Sequence, residues 1–425
     1  GPDKKYGYFP SFSLGWNINK EKFWANNNLV STLKLRGGYG VVGNDNLADF
    51  RYISTISGGY NYPVGNTGAV TTGYAQTTLD NPSLHWETTS QMNVGFDARL
   101  LNTLNLTVDY YIKKTSGILR PVTIPGYVGV SNQPWANIAD MKNNGLEVEL
   151  GYNKRLGEFN LGINGNVSFL ENEVTYVASD ADYINGDAAF QSMGTTTRVQ
   201  VGQPYNVFYG YKTMGIFQNE TEINSYNNKD GNPIQPKARP GDFRWQDTNG
   251  DGVITEADKT FLGSNIPKYT FGLTVNLSYR NFDFMAFAQG VAGNKIFQGL
   301  RRLDISNSNF QTKAMGRWTG EGTSNDFPRL VSNDPNGNFS NMSDFYLEKG
   351  DYIRMKLLQV GYTLPRNIFS NAGISRVRLY VTSENLFTIT GYDGYDPEVG
   401  GGVFGIDKGQ YPQARSFIGG IQVQF

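Results

Sequence analysis

Apolar residues in this chain alternate with polar ones instead of running together, and that period of two restricts its fold more than any other feature. In the clearest stretch Tyr269, Phe271, Leu273, Val275, Leu277 and Tyr279 share one face, with Tyr at both ends of the apolar band. Successive strand side chains point to opposite faces, so such a stretch reads as a strand with one apolar and one polar side. No run approaches the ~18–20 apolar residues that a membrane-spanning helix requires. The last eleven residues, Arg415 to Phe425, repeat the pattern. Phe417, Gly419, Ile421, Val423 and Phe425 lie on one face, with Ser416, Ile418, Gly420, Gln422 and Gln424 on the other. A soluble sandwich seldom ends on such a strand, whereas a transmembrane barrel closes on one whose outer face meets lipid.

Further alternating stretches occupy 8–18, 33–39, 92–98, 104–110, 146–152, 159–169, 282–290, 352–364 and 376–387. Together they predict about eleven antiparallel membrane strands, each near the ~9–11 residues of a tilted barrel strand. In 352–364 the alternation changes phase at Leu357-Leu358, which predicts a bulge. The connections differ in length. Short ones fall at 99–102, 155–158 and 280–281, and medium ones at 19–30 and 365–373. Long polar ones span 42–85, 117–140, 171–267, 292–350 and 388–413. Short turns at one end and long loops at the other is the outer-membrane arrangement, with the long loops extracellular. Counting strands back from Phe425 works only if the apolar segment Tyr205–Phe217 belongs to an outer loop or the lumen. The odd total then predicts that further strands precede residue 1, because single-chain bacterial barrels have even numbers.

Composition agrees. The 425 residues are 39 % hydrophobic, yet include 26 Tyr, 26 Phe and 51 Gly with only 18 % charged residues. Aromatic girdles and glycine-rich bends give that profile, and 14 % aromatics argues against disorder. A net charge of −1 gives no basis for binding nucleic acid. The chain lacks cysteine, which removes thiolate chemistry, and His85 is the single histidine, in the loop Pro82–Trp86. A Ser-His-Asp triad or a multi-histidine zinc site has almost nothing to be built from, so the expectation is not an enzyme. Gly1-Pro2-Asp3-Lys4-Lys5 has no apolar core of a signal peptide, as expected of a processed chain or a C-terminal stretch.

One segment carries metal chemistry. Residues 247–258, D-T-N-G-D-G-V-I-T-E-A-D, match the twelve-residue calcium loop, with oxygen side chains at positions 1, 3 and 5, Gly at 6, a hydrophobe at 8 and an acid at 12. Asp247, Asn249, Asp251, the Val253 carbonyl and Asp258 supply most of the 6–8 oxygens that Ca2+ prefers. Asp replaces Glu at position 12, and no flanking helices are evident. The competing reading is an Asn-Gly/Asp-Gly turn with charged edges. The predicted role of the ion is to brace an outer loop. Gly38–Gly43 spells G-x-G-x-x-G, but a polar loop follows where dinucleotide binding needs a helix. Tyr60, Tyr62, Tyr127, Trp135, Tyr205, Phe208, Tyr209, Tyr211, Trp318 and Tyr411 read as exposed loop aromatics. They suit sugar or peptide stacking, or loop packing. Glu147 and Glu149 read as a solvated lumen wall.

Several stretches resemble the SusC/RagA-type TonB-dependent transporters of Bacteroidetes. They are G-P-D-K-K-Y-G-Y-F-P-S-F-S-L-G-W-N-I at the start, L-K-L-R-G-G-Y-G-V-V-G-N (33–44), N-P-S-L-H-W-E-T-T (81–89) and N-N-G-L-E-V-E-L (143–150). Others are F-Y-G-Y-K-T-M-G-I-F (208–217), P-G-D-F-R-W-Q-D-T-N-G-D-G-V-I-T (240–255), Y-I-R-M-K-L-L-Q-V-G-Y-T-L-P (352–365) and E-N-L-F-T-I-T-G-Y-D-G-Y-D-P-E (384–398). The resemblance implies that residues 1–425 are the C-terminal part of a 22-stranded barrel. Residues 172–266 would be its long extracellular region, with the plug and TonB box outside this chain. It further implies uptake of oligosaccharides or oligopeptides through the outer membrane, a SusD-like surface lipoprotein as lid, TonB as driver, and pairing of such complexes into dimers or larger envelope assemblies. The alternative is a SusC-like barrel that serves as a structural or assembly component without transporting.

Overall fold

The computed structural model describes residues 1–24, 27, 29–44, 46–66, 68–305, 307–368, 373–399 and 404–425. Parts of the connections 19–30, 42–85, 292–350, 365–373 and 388–413 therefore lie outside the described residues. Eleven antiparallel strands follow one another in chain order across one sheet. They are β1 (Ser11–Asn17), β2 (Val30–Asn44), β3 (Glu87–Leu100), β4 (Leu104–Pro121), β5 (Trp135–Leu156) and β6 (Phe159–Val177). The others are β7 (Tyr269–Tyr279), β8 (Phe282–Ala292), β9 (Tyr352–Thr363), β10 (Arg376–Glu384) and β11 (Ser416–Gln424). The short strand Thr388–Thr390 adds to the outer end of β9. This is an all-β wall, and the expected count of about eleven strands holds.

Register keeps the apolar sets together. Leu35 pairs with Phe96, Val108 with Val148, Val167 with Phe271, and Leu379 with Ile421. Many side chains of this face stand open, among them Leu14, Val94, Leu150, Leu273, Val360, Val381 and Ile421. A continuous apolar face of this size needs a cover other than water. The opposite face is polar. Arg36 bridges Asp97 (Nε–Oδ2 3.2 Å) and Asp109, and Thr107 donates to Asp97 at 3.1 Å. Glu147 and Glu149 continue that wall opposite Asp109 and Thr107, as the solvated-wall reading expects. Gly38–Gly43 lies inside β2, and no helix follows it before β3 among the described residues, so the motif lacks the helix N-terminus that dinucleotide binding uses.

The turns at one end are tight. Leu156 pairs with Phe159 and Tyr279 with Phe282, which leaves two-residue loops with Gly157 at φ 62° and Arg280 at φ 52°. Positive φ at the first loop residue suits the right-handed twist of a hairpin. A register shift lies between Phe287 and Ala288, opposite Leu357 and Met355, so the bulge falls at Lys356, one residue from its expected place.

Several strand ends differ from expectation. The segments 42–85, 117–140 and 171–267 read as loop, yet β2 continues to Asn44, β4 continues to Pro121, β5 begins at Trp135 and β6 continues to Val177. β5 has 22 residues. At ~3.3 Å per residue and ~45° tilt that is about 50 Å along the barrel axis, well past the ~30 Å hydrocarbon core. Beyond that core both faces meet water, so hydrophobic alternation disappears while the backbone ladder continues.

Candidate functional site

The long connections fold into a packed outer region at the end of the wall opposite the tight turns. Its largest apolar cluster contains Phe190, Phe208, Phe297, Met342, Tyr346 and Ile406. Phe297 stacks on Tyr346 with ring centroids 5.0 Å apart. A second cluster packs Tyr211, Ile216, Phe243 and Trp245. Tyr205–Phe217 contributes to both through two short strands (Val207–Gly210 and Thr213–Ile216), so it lies in the outer region and not in the wall. Phe208 and Tyr211 correct the expectation that they are exposed. The strand Val207–Gly210 pairs with Thr260–Gly263, and Phe208 is thereby driven fully into the first cluster. Tyr211 sits against Trp245 and its hydroxyl donates to Glu256 at 3.4 Å. Burial first, and Glu256 second, push the Tyr211 phenol above its ordinary range. Tyr205, Tyr209, Trp135 and Trp318 are half-buried, whereas Tyr60, Tyr62, Tyr127 and Tyr411 are exposed. His85 is exposed in its loop.

Residues 247–258 span from the short strand Phe243–Trp245 to the short strand Thr260–Gly263. Both ends are anchored. Upstream, the fully buried Asp242 is gripped by Arg329 at 2.7 and 3.0 Å and by Asn338 Nδ2 at 2.8 Å. Downstream, Thr255 and Asp258 form a capping box around the turn Glu256–Asp258. Between these anchors the chain turns sharply at Gly250 (φ 74°) and Gly252 (φ 87°), conformations that glycine adopts without penalty. Asp247 accepts from the Gly250 and Gly252 N–H groups at 2.7 and 2.9 Å. Asp258 is fully buried and accepts from Thr248 at 2.9 Å and Thr255 at 2.8 Å.

These bonds bring one oxygen each of Asp247, Asp251 and Asp258 within 4.8 Å of one another. Asn249 stands beside them, its Nδ2 donating to Asp251 at 2.8 Å and its Oδ1 accepting the Asp251 N–H at 2.9 Å. Val253 is half exposed at the next turn of the loop. Three converging carboxylates repel, and no lysine or arginine forms an ion pair with them among the described residues. A hard divalent cation is the chemistry that such a donor set fits, so the residues present suit Ca2+.

A second constellation escaped the sequence reading. Arg354, buried at the outer end of β9, donates from Nη2 to Asp396 (2.5 Å), from Nη1 to Glu398 (2.7 Å) and from Nε to Thr388 (2.8 Å). Lys356 also donates to Glu398 at 2.8 Å. This clamp ties the last long connection to the wall. Its signal is Arg and Lys two apart on an inward face, followed some forty residues later by D-P-E, and neither half points to the other without the fold.

The comparisons with known proteins agree with this architecture. A family model described as TonB dependent receptor-like, beta-barrel, matches residues 2–386. TonB-dependent receptor P3 of Formosa agariphila is 31 % identical over 440 residues, covering 100 % of this chain and 42 % of that protein. TonB-dependent receptor SusC of Bacteroides thetaiotaomicron is 29 % identical over 436 residues, covering 100 % and 40 %. The chain thus spans about two fifths of the length of these curated relatives. Among solved structures, the RagAB peptide transporter matches with TM-score 0.79 at 24 % identity, over 100 % of this chain and 44 % of that one. At that identity the likeness concerns the fold.

Proposed function

The chain belongs to the TonB dependent receptor-like β-barrel family of the outer membrane, and we propose that it forms wall and outer loops of a SusC-like importer of oligosaccharides or oligopeptides. The observation that carries this reading is the division of the molecule into a wall with one apolar and one polar face and a folded outer region on its long-loop end. The apolar face meets outer-membrane lipid. The polar face borders the route of the solute, and the outer region receives it. A SusD-like lipoprotein serves as lid, and TonB acts through a plug and box outside the present sequence. The structural neighbour is itself described as a peptide importer, and the family is one of receptors and transporters rather than of enzymes. The test is uptake of labelled oligosaccharides and oligopeptides by cells with and without the full-length gene. Uptake that requires both the gene and TonB supports import. Uptake unchanged by the deletion, with envelope proteins lost from a co-purifying assembly, points to the scaffold role instead.

Within that reading, Asp247, Asn249, Asp251, the Val253 carbonyl and Asp258 hold a Ca2+ ion that braces the region 172–266. The ion supplies charge neutralisation to the three carboxylates. The chain supplies two anchored ends and the glycine turns that aim the oxygens inward. Full-length protein carrying Asp247→Ala and Asp251→Ala should be cleaved within 172–266 faster than the wild type in calcium, and no faster in chelator. Equal cleavage of wild-type protein with calcium and with chelator would count against the metal.

A further inference from the structure

The long connection between β8 and β9 contains a cavity lined by aromatic rings and one arginine that nothing above employs. Its walls include Phe310, Phe327, Phe339, Phe345 and Tyr346, with Arg301 reaching in. The Arg301 guanidinium carbon lies 3.9 Å from the centroid of Phe310 and 5.9 Å from that of Phe339. Stacking on an aromatic face fixes the guanidinium plane and leaves its N–H edge free for a partner in that plane. No partner stands there among the described residues. The Arg301 Nε is buried without a hydrogen-bond acceptor, and Arg301 enters none of the ion pairs.

The neighbouring polar groups are engaged elsewhere. Asp334, whose charge acts on Arg301, accepts from the Asn338, Phe339 and Ser340 N–H groups and from the Ser340 hydroxyl. The Tyr346 hydroxyl donates to the Phe339 carbonyl at 2.7 Å. Lys313 and Gln298 are both bonded to Glu348, at 3.5 and 2.8 Å. Burial pulls the Arg301 pKa below its ordinary value, and the opposing charges of Tyr346 and Asp334 do not make up for it. An enclosed donor left unsatisfied is costly, and an anion placed against it recovers that cost.

The cavity takes about 40 Å3, room for about three waters at ~10–15 Å3 each, so it admits a small anionic group and not the body of a ligand. The planar, two-oxygen carboxylate matches the guanidinium fork. We propose that Arg301, stacked on Phe310 within this aromatic cavity, is a binding site for the carboxylate of a ligand whose body rests outside on the rim. This goes beyond the import reading, because it names a recognition element and stands whichever way the solute then travels. An acidic sugar and a peptide C-terminus both present that group.

Two matched pairs test it on full-length protein in detergent by calorimetry. They are glucuronate against glucose, and N-acetyl-leucine against N-acetyl-leucine amide. At least one acid should bind about tenfold or more tightly than its neutral partner. Which pair responds tells the sugar source from the peptide source. Arg301→Gln should remove the preference and Arg301→Lys retain part of it, while Arg302→Gln, an exposed neighbour paired with Asp304, leaves it intact. Because Arg301→Gln could disturb folding, a second readout uses the wild type. The preferred acid, and not its neutral partner, should slow phenylglyoxal modification of Arg301 as read by mass spectrometry. Equal binding of acid and neutral ligand in both pairs, no protection of Arg301, or phosphate binding as tightly as the acids would overturn the assignment.

Discussion

The wall and the outer region of this protein are stabilised in opposite ways. In the wall, backbone ladders are continuous and the apolar side chains point outward, with Leu273, Val360, Val381 and Ile421 all open. In the outer region, strands are short and the apolar side chains point inward, with Phe190, Phe208, Phe217 and Phe297 wholly enclosed. The wall needs an apolar surrounding to hold its exposed face and spends its hydrogen bonds between strands. The outer region lives in water, so it needs its own aromatic core and side-chain knots such as Asp242–Arg329–Asn338 to bind loops distant in sequence. Defects in one region should therefore leave the other standing.

The largest effect is expected in the outer core. Phe208→Ala should cost about 3–5 kcal/mol and increase proteolysis of 172–266, while the barrel still shows its heat-dependent shift on a gel. Loss of that shift would mean that wall and outer region fold as one unit. Next, Leu273→Arg on the outward face of β7 should cost about 2–4 kcal/mol of folding in bilayers. Thr274→Arg, one residue along and facing the lumen, should cost little. Equal costs would refute the assignment of the two faces.

Arg354→Met should cost about 2–3 kcal/mol, below the ~3–5 for a fully buried pair because Lys356 still holds Glu398. It should free the connection after Thr388–Thr390, the short strand paired to the outer end of β9, detectable as faster hydrogen exchange there with the wall unchanged. The smallest effect is the pH response of that clamp. Burial alone raises the Asp396 carboxyl, but Arg354 and the Gln413 and Glu398 N–H donors outweigh it and hold its pKa below the ordinary value. A depressed folded pKa gives stability that is present above the unfolded value of ~3.9 and lost as pH falls through the folded one. The protection of amides in 391–399, taken relative to their intrinsic exchange rates, should thus stay constant from pH 7 to about 4 and fall below. A fall near pH 6 would point to a different group.

Much of the wall was legible because its signal is local. Alternation within ten residues assigned Leu273 to one face and Thr274 to the other, and a single break in phase placed the bulge within one residue of Lys356. The ends of β4 and β5 were not legible, since strands that leave the membrane keep their ladder but lose the alternation that marks them. The loop 247–258 was readable for a similar reason: its oxygens and glycines sit at fixed short spacings, and three of its carboxylates do converge. The outer aromatics gave no such signal. Phe208 and Tyr60 look alike in a polar stretch, and only pairing with Thr260–Gly263 buries the first while the second stays open.

The sequence alone thus determined the period, the two faces, the eleven strands, the sorting of short turns from long loops, and the acidic loop. All of these follow from side-chain direction and backbone geometry within a few residues. The tertiary structure alone decided which loop aromatics form the core, that Arg354 meets Asp396 and Glu398, and that Arg301 stacks on Phe310 beside Phe339 with no ion pair among the described residues. Burial and pairing in the outer region depend on contacts across tens to hundreds of residues, and no local pattern encodes which distant loop arrives.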